Sequence, residues 1–139
     1  MTDLLFVYGT LMRAAEHDMH PVLARSATFL GEAHFTGRLY LVAHYPGAVP
    51  SATADERVHG EVYRLRNAAD LLAVLDDYEA CAPHSPQPHE YVRRLCQVRL
   101  ADETHAEAWI YLYNRAVDGL PRIPSGRFLQ HIAAAYLVD

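Results

Sequence analysis

The sequence predicts an α+β fold in which short strands form a small mixed, barrel-like sheet, with a few flanking helices. Three observations lead to this prediction. Strand-like runs occur along most of the chain, one central segment has helical periodicity, and a second helical segment lies near the end. The length of 139 residues suits a single core, so we expect residues 1–139 to form one domain.

The first half of the chain contains three strand-like segments. They are residues 4–8, 35–42 and 59–65. Residues 11–23 predict a short helix or structured loop, because their helical character is weak and a proline interrupts them. A bulge or bend is expected at Gly37, since glycine inside a strand often marks one. Tyr45-Pro46-Gly47 is typical of a turn.

The second half begins with the clearest helix of the sequence. Residues 68–78 carry leucines at helical spacing, and Asn67 is a suitable N-cap. Residues 82–89 contain three prolines and predict a loop. Two further strands, which we expect to form a hairpin, and a closing helix complete the chain: residues 91–100, 106–113 and 128–136.

The charge of the chain bears on its partners. The formal net charge is −5, all twelve basic residues are arginine, and only Arg93 and Arg94 are adjacent. We therefore expect no nucleic-acid partner and no membrane partner, because there is no basic stripe and no apolar run near the roughly 20 residues of a membrane span. The N-terminus lacks the basic region of a signal peptide, so we expect a cytoplasmic protein. We expect the protein to be a monomer or a homodimer.

Neither the cysteines nor the histidines form a recognisable site. Cys81 and Cys96 make no CxxC pair, and we expect both to be free thiols. The nine histidines show no spacing typical of metal ligands. We therefore expect no metal and no cofactor.

The loop Tyr8-Gly9-Thr10-Leu11 is the first candidate for function. A strand ends there, glycine permits a sharp turn, and successive backbone N–H groups after such a turn can converge on an anion. The alternative is an ordinary strand-to-helix turn in which Thr10 caps the helix.

The acidic end of the central helix is the second candidate. Asp76, Asp77 and Glu79 lie within four residues at a helix C-terminus, where negative charge is disfavoured. A half-buried glutamate beside aromatic rings would have a raised pKa and would suit proton transfer. The alternative is a solvated acidic helix end.

The order of these features resembles the γ-glutamylcyclotransferase-like family, which includes AIG2-like proteins and γ-glutamylamine cyclotransferases. The matching segments are residues 6–11, 37–40, 45–47, 58–63, 75–79, 91–93 and 108–113. The chain departs from the family pattern at Arg127 and Phe128, where the family has Asp and Trp, and in the proline-rich loop 80–89. Both departures are expected to border the pocket, where they would affect the specificity for the leaving group.

The resemblance implies a fold, a reaction and a site. The fold is a compact barrel-like sheet with a pocket at one end. In the reaction, the α-amino group of a γ-glutamyl compound attacks its own γ-carbonyl, which releases 5-oxoproline and an amine without a cofactor. The resemblance assigns Glu79 as general acid and base. The N–H groups of Gly9, Thr10 and Leu11 would hold the substrate, with Tyr8 and Tyr113 as further pocket contacts.

Two other functions are compatible with the same sequence. One is a binding or regulatory module that keeps the family fold without turnover. The other is the removal of a γ-glutamyl protecting group within a biosynthetic pathway, which shares the chemistry but not the physiological role.

Overall fold

The computed structural model of the chain describes residues 2–9, 11–12 and 20–137, with side-chain surroundings as far as residue 133. Six strands and three helices lie in these ranges. In chain order they are β1 (Leu4–Val7), α1 (His20–Ser26), β2 (Ala27–Leu41), β3 (Pro46–Pro50), β4 (Arg57–Leu65), α2 (Ala68–Tyr78), β5 (Tyr91–Leu100), β6 (His105–Tyr113) and α3 (Phe128–Leu137).

Five of the strands close into a barrel, which confirms the predicted α+β fold with a mixed barrel-like sheet. The hydrogen-bonded order is β2-β4-β1-β6-β5, and β5 returns to β2 where Ala33 pairs with Leu100. Only the β1–β6 neighbours run parallel, with Leu5 opposite Trp109. The remaining strand, β3, extends the second half of β2.

Strand β1 is buried on both of its faces, because it lies between the barrel interior and the helical layer. Phe6 packs in the inner apolar cluster. Leu5 and Val7 pack in an outer cluster together with leucines of α2. Successive side chains of a strand point to opposite faces, so burial on both sides explains why this segment is a continuous apolar run.

Strand β2 begins at Ala27, eight residues before the predicted strand 35–42, and it differs from the prediction in two further details. The register against β4 shifts between Phe29 and Gly31, so the bulge lies there and not at Gly37. At Gly37 the pairing partner of β2 instead changes from β4 to β3. A Cβ atom at this position would lie 2.6 Å from the carbonyl oxygen of Val49. Glycine is needed here because the two backbones approach so closely.

The predicted turn at residues 45–47 is only partly correct. The chain turns over residues 43–45, and Pro46 and Gly47 already belong to β3, which the sequence did not predict as a strand. The predicted hairpin is confirmed, since β5 and β6 pair without interruption from Tyr91–Tyr113 to Arg99–His105.

Helix α2 has the predicted bounds and lies against the outer face of the barrel. Leu71, Leu72 and Leu75 are buried, which matches the apolar stripe of the sequence. Asn67 is the N-cap residue as predicted, but its side chain makes no capping hydrogen bond because its backbone is left-handed, with φ of 49°. None of the helices in the described ranges has the length and apolar character required to cross a bilayer.

Candidate active site

A cavity of about 300 Å³ lies where the end of β1, the β2–β3 turn, the C-terminal end of α2 and the start of β5 meet. It is lined by Phe6, Val7, Tyr8, Gly9, Leu11, His44, Tyr45, Pro46, Tyr78, Glu79, Ala80, Glu90, Tyr91 and Tyr111. The structure therefore brings the two candidate features of the sequence, the loop after β1 and the acidic end of α2, to one cavity.

Glu79 is the C-cap residue of α2 and its side chain lines this cavity. Within the described part of the chain no side chain or backbone group donates a hydrogen bond to its carboxyl group. Burial, and then the negative charge of Glu90, raises the pKa of Glu79 from its ordinary 4.5 to about 8. The carboxyl group is therefore mostly protonated at neutral pH in the unliganded protein.

Helix α2 ends with a capping motif directly after Glu79. The N–H of Ala80 donates to the carbonyl of Asp77 at 3.2 Å, and the N–H of Cys81 donates to the carbonyl of Asp76 at 2.9 Å. This pair of hydrogen bonds is a Schellman motif, and Ala80 occupies its left-handed position with φ of 58°. The motif ends the helix at Glu79.

Asp76 lies one turn before Glu79 and holds the helix end against the barrel. Its carboxylate accepts two hydrogen bonds from Arg93, at 2.8 and 3.0 Å, and one from the hydroxyl of Tyr111 at 2.6 Å. The guanidinium of Arg93 also lies 4.3 Å from the ring centroid of Trp109. These contacts connect α2 to β5 and β6, so Asp76 is a positioning residue for Glu79.

Tyr8 contributes its ring to the cavity, whereas its hydroxyl is used by the fold. The hydroxyl donates to the carbonyl of Tyr111 at 2.5 Å and accepts from the N–H of Ala48 at 3.2 Å. Burial, and then the charge of Glu79, raises the pKa of the Tyr8 hydroxyl. Tyr8 thus ties β1 to β3 and β6 at the wall of the cavity.

The loop after β1 approaches the cavity through Gly9 and Leu11, which both line it. A Cβ atom at Gly9 would lie 2.8 Å from Cγ of Pro46, so this position requires glycine for close packing. The carbonyl of Gly9 accepts a hydrogen bond from the N–H of Met12 at 3.0 Å. Thr10, the remaining predicted residue of the loop, lies outside the described residues.

Tyr113, predicted as a pocket contact, does not line the cavity. Its ring packs edge-on against Tyr91, which does line it, with the centroids 5.6 Å apart. Tyr113 lies on the same face of β6 as Tyr111, two residues further along the strand, and it contacts Tyr91 from behind the cavity wall.

The two departures from the family pattern are also placed by the structure. Phe128 is 3% exposed and belongs to the inner core cluster, and Arg127 is exposed beside a different cavity. The expectation that these residues border the pocket is therefore wrong. Of the loop 80–89, only Ala80 reaches the cavity.

The predicted site did not include the other polar residues of the cavity. These are His44, Tyr45, Tyr78, Glu90, Tyr91 and Tyr111. The hydroxyl of Tyr45 donates to Oε2 of Glu90, and the hydroxyl of Tyr91 donates to the carbonyl of Pro46 at 2.6 Å. The sequence does show that Glu90 is an acidic residue directly before a predicted strand, which could have marked it as a candidate. No sequence pattern, however, connects Glu90 to Tyr45.

No metal site can be assigned within the described ranges. There, no group of three or more histidine, cysteine, aspartate and glutamate side chains is arranged to hold a metal ion.

Comparison with known proteins gives the family. Residues 5–130 match the family described as γ-glutamyl cyclotransferase, AIG2-like. The chain belongs to this family. It is 40% identical over 126 residues to the γ-glutamylcyclotransferase family protein YtfP of Escherichia coli, in a match that covers 90% of this chain and 95% of YtfP.

Two solved structures show the same fold. YkqA from Bacillus subtilis superposes with a TM-score of 0.74 at 27% identity, covering 100% of this chain and 44% of YkqA. This chain thus spans less than half the length of YkqA. An AIG2-like protein from Mus musculus superposes with a TM-score of 0.68 at 25% identity, covering 88% of this chain and 86% of the mouse protein.

Proposed function

We propose that the chain is a γ-glutamylcyclotransferase that converts a γ-glutamyl amide into 5-oxoproline and a free amine or amino acid, with Glu79 as general acid and base. One observation carries the proposal. Glu79 lines the cavity without a partner among the described residues, and its pKa is raised to about 8. A carboxyl group whose pKa lies near the working pH is suited to take up and return a proton.

The reaction needs a single group that acts as both general base and general acid. The α-ammonium of the substrate gives one proton to the Glu79 carboxylate, and the free amine attacks the γ-carbonyl carbon. A new C–N bond closes the ring while the original amide C–N bond breaks. Glu79 returns its proton to the departing nitrogen, then takes the second proton from the ring nitrogen and passes it to the released amine, which leaves as an ammonium while Glu79 is again a carboxylate. The attacking group belongs to the substrate, so no protein nucleophile takes part.

Binding of the substrate provides the ionised form of Glu79. In the unliganded cavity burial favours the neutral carboxyl group. A substrate ammonium beside it favours the carboxylate, because an opposite charge stabilises the ionised form. In the active complex the substrate ammonium therefore lies beside the Glu79 carboxylate, to which it can transfer one proton.

The loop after β1 is proposed to hold the rest of the γ-glutamyl group. The backbone N–H groups of Gly9, Thr10 and Leu11 would receive the α-carboxylate or the developing oxyanion. Tyr8 would shape the wall through its ring, and Tyr113 would support that wall from behind. The glutamyl chain must fold back on itself to cyclise, so confinement in a cavity of about 300 Å³ favours the reactive conformation.

The remaining expectations belong to the same proposal. We propose one domain over residues 1–139, a small-molecule γ-glutamyl substrate, no cofactor, no metal, no nucleic-acid or membrane partner, a cytoplasmic location, and a monomer or homodimer.

The proposal is tested by incubating the protein with γ-glutamyl amino acids, γ-glutamyl amines and glutathione and measuring 5-oxoproline. We expect release of 5-oxoproline from at least one class. Binding of a γ-glutamyl compound without turnover would instead support the non-catalytic module. Turnover confined to one γ-glutamylated biosynthetic product would support removal of a protecting group.

A further inference from the structure

The charges around the cavity are strongly one-sided. Two carboxyl groups, those of Glu79 and Glu90, line it, whereas no arginine does so among the described residues. Arginine is the only basic residue type of this chain apart from histidine, and His44 is the one histidine in the lining. The negative charge of Glu90 already acts on its neighbour, since it is the second cause of the raised pKa of Glu79.

Glu90 is held so that one of its carboxylate oxygens is fixed. The N–H of Asn114 donates to the backbone carbonyl of Glu90 at 2.7 Å, and the hydroxyl of Tyr45 donates to Oε2. The ring of Tyr45 packs edge-on against His44, with centroids 5.1 Å apart, and also near Tyr91 at 6.3 Å. The second oxygen, Oε1, receives no hydrogen bond from the described part of the chain.

No described cation forms an ion pair with Glu90. The charge of Arg115 works to lower the pKa of the Tyr45 hydroxyl, against the larger effects that raise it. Nη2 of Arg115 donates to the carbonyl of Pro88 at 3.2 Å, and Arg115 does not line the cavity. An ionised carboxylate in a partly buried cavity is costly unless a counter-charge compensates it. A positively charged part of the ligand would supply that counter-charge.

We infer that Glu90, oriented by Tyr45, is a specificity-determining residue that selects leaving amines carrying a positive charge of their own over those carrying a carboxylate. This inference rests on the proposed function. Glu79 serves the ring-closing end of the substrate, which is common to all γ-glutamyl amides. Glu90 forms the other acidic group of the cavity, so it is assigned to the variable end, where a carboxylate would be repelled.

The test uses three γ-glutamyl amides of equal chain length that differ in the charge of the leaving amine. They are the amides of butylamine (neutral), of diaminobutane (cationic) and of aminobutyrate (anionic). In the unmodified protein we expect kcat/KM to fall about tenfold from the cationic to the neutral amide and about tenfold again to the anionic amide, each step corresponding to about 1.4 kcal/mol.

In Glu90→Gln we expect both ratios to approach one, because the side chain keeps its shape and its acceptor for Tyr45 but loses its charge. In Tyr45→Phe the ratios should fall part of the way. Asp118→Asn is the matched control: it removes one exposed negative charge outside the cavity and should leave both ratios unchanged. Ratios measured within one enzyme cancel any change of the Glu79 pKa that the substitution causes.

Three results would overturn the inference. Equal efficiency on all three amides would show that the cavity does not select for charge. An equal loss on all three amides in Glu90→Gln would show that Glu90 acts on the common γ-glutamyl part. Absence of 5-oxoproline from every amide would overturn the proposed function and this inference with it, which distinguishes it from the first two results.

Discussion

Asp76 and Glu79 lie three residues apart at the end of one helix, yet their carboxyl groups have opposite surroundings. Asp76 accepts hydrogen bonds from Arg93 and Tyr111, so its charge is compensated. Glu79 faces the cavity with no such partner among the described residues, and burial raises its pKa to about 8.

The difference shows how one acidic segment provides both an anchor and a reactive group. A buried carboxylate is stable when a guanidinium lies beside it, and its ability to exchange protons at neutral pH is then lost. A carboxyl group left unpaired costs stability but can exchange a proton at neutral pH. The anchor, Asp76, keeps the reactive group, Glu79, in place, so the second role depends on the first.

The largest expected effect follows from removing the reactive carboxyl group. In Glu79→Gln we expect kcat for 5-oxoproline release to fall about 10²–10⁴-fold, because the amide cannot take up a proton. Asp77→Asn is the matched control, since Asp77 is exposed and its side chain pairs, among the described residues, with His84 alone; its activity should remain within about twofold. Full activity of Glu79→Gln in a steady-state assay would contradict the assignment.

Breaking the anchor should cost stability first and activity second. We expect Asp76→Ala to lower the free energy of unfolding by about 3 kcal/mol in urea titrations, because Arg93 then lacks its partner in a partly buried site. Arg93→Ala should cost a similar amount. The double variant should cost less than the sum, with a coupling of about 1–3 kcal/mol.

Additive costs in that cycle would show that the two side chains do not stabilise each other. The activity of Asp76→Ala should exceed that of Glu79→Gln, since the carboxyl group of Glu79 is displaced but present.

The unpaired carboxyl group should make stability depend on pH. The folded-state pKa of Glu79 lies above its ordinary 4.5, so its neutral form favours the folded state. This contribution is complete below pH 4.5 and is lost as pH rises through about 8. Between pH 5 and 9 the free energy of unfolding of the unmodified protein should therefore fall by about 2 kcal/mol relative to that of Glu79→Gln, allowing for partial exposure to solvent. Thermal or urea unfolding at a series of pH values measures this difference. A difference that does not change with pH would contradict the raised pKa.

The smallest expected effect concerns the turn that ends α2. Ala80 has φ of 58°, a conformation that costs a residue with a Cβ atom about 1 kcal/mol. We expect Ala80→Gly to raise the free energy of unfolding by up to about 1 kcal/mol, partly offset by the greater freedom of glycine in the unfolded chain. Ala73→Gly, at an exposed position inside the same helix, should instead lower it by about 0.5–1 kcal/mol. The same sign in both variants would argue against a strained turn.

The sequence by itself determined the class of the fold and most of its elements. Helix α2, the β5–β6 hairpin and strand β1 were predicted because their periodicity and apolar runs are local properties. Strand β3 was missed because Pro46 and Gly47 are typical of turns. They form a strand only where the second half of β2 is available for pairing.

The site was only half accessible from the sequence. Glu79 and the loop after β1 were singled out by their residue types and order, and the resemblance assigned their roles. Glu90 and Tyr45 were not found, because they meet across 45 positions of the chain. Tertiary structure alone decided that Asp76 is paired and that Glu79 is not. Desolvation and ion pairing depend on which distant residues the closed barrel brings together, and no local pattern of the sequence contains that information.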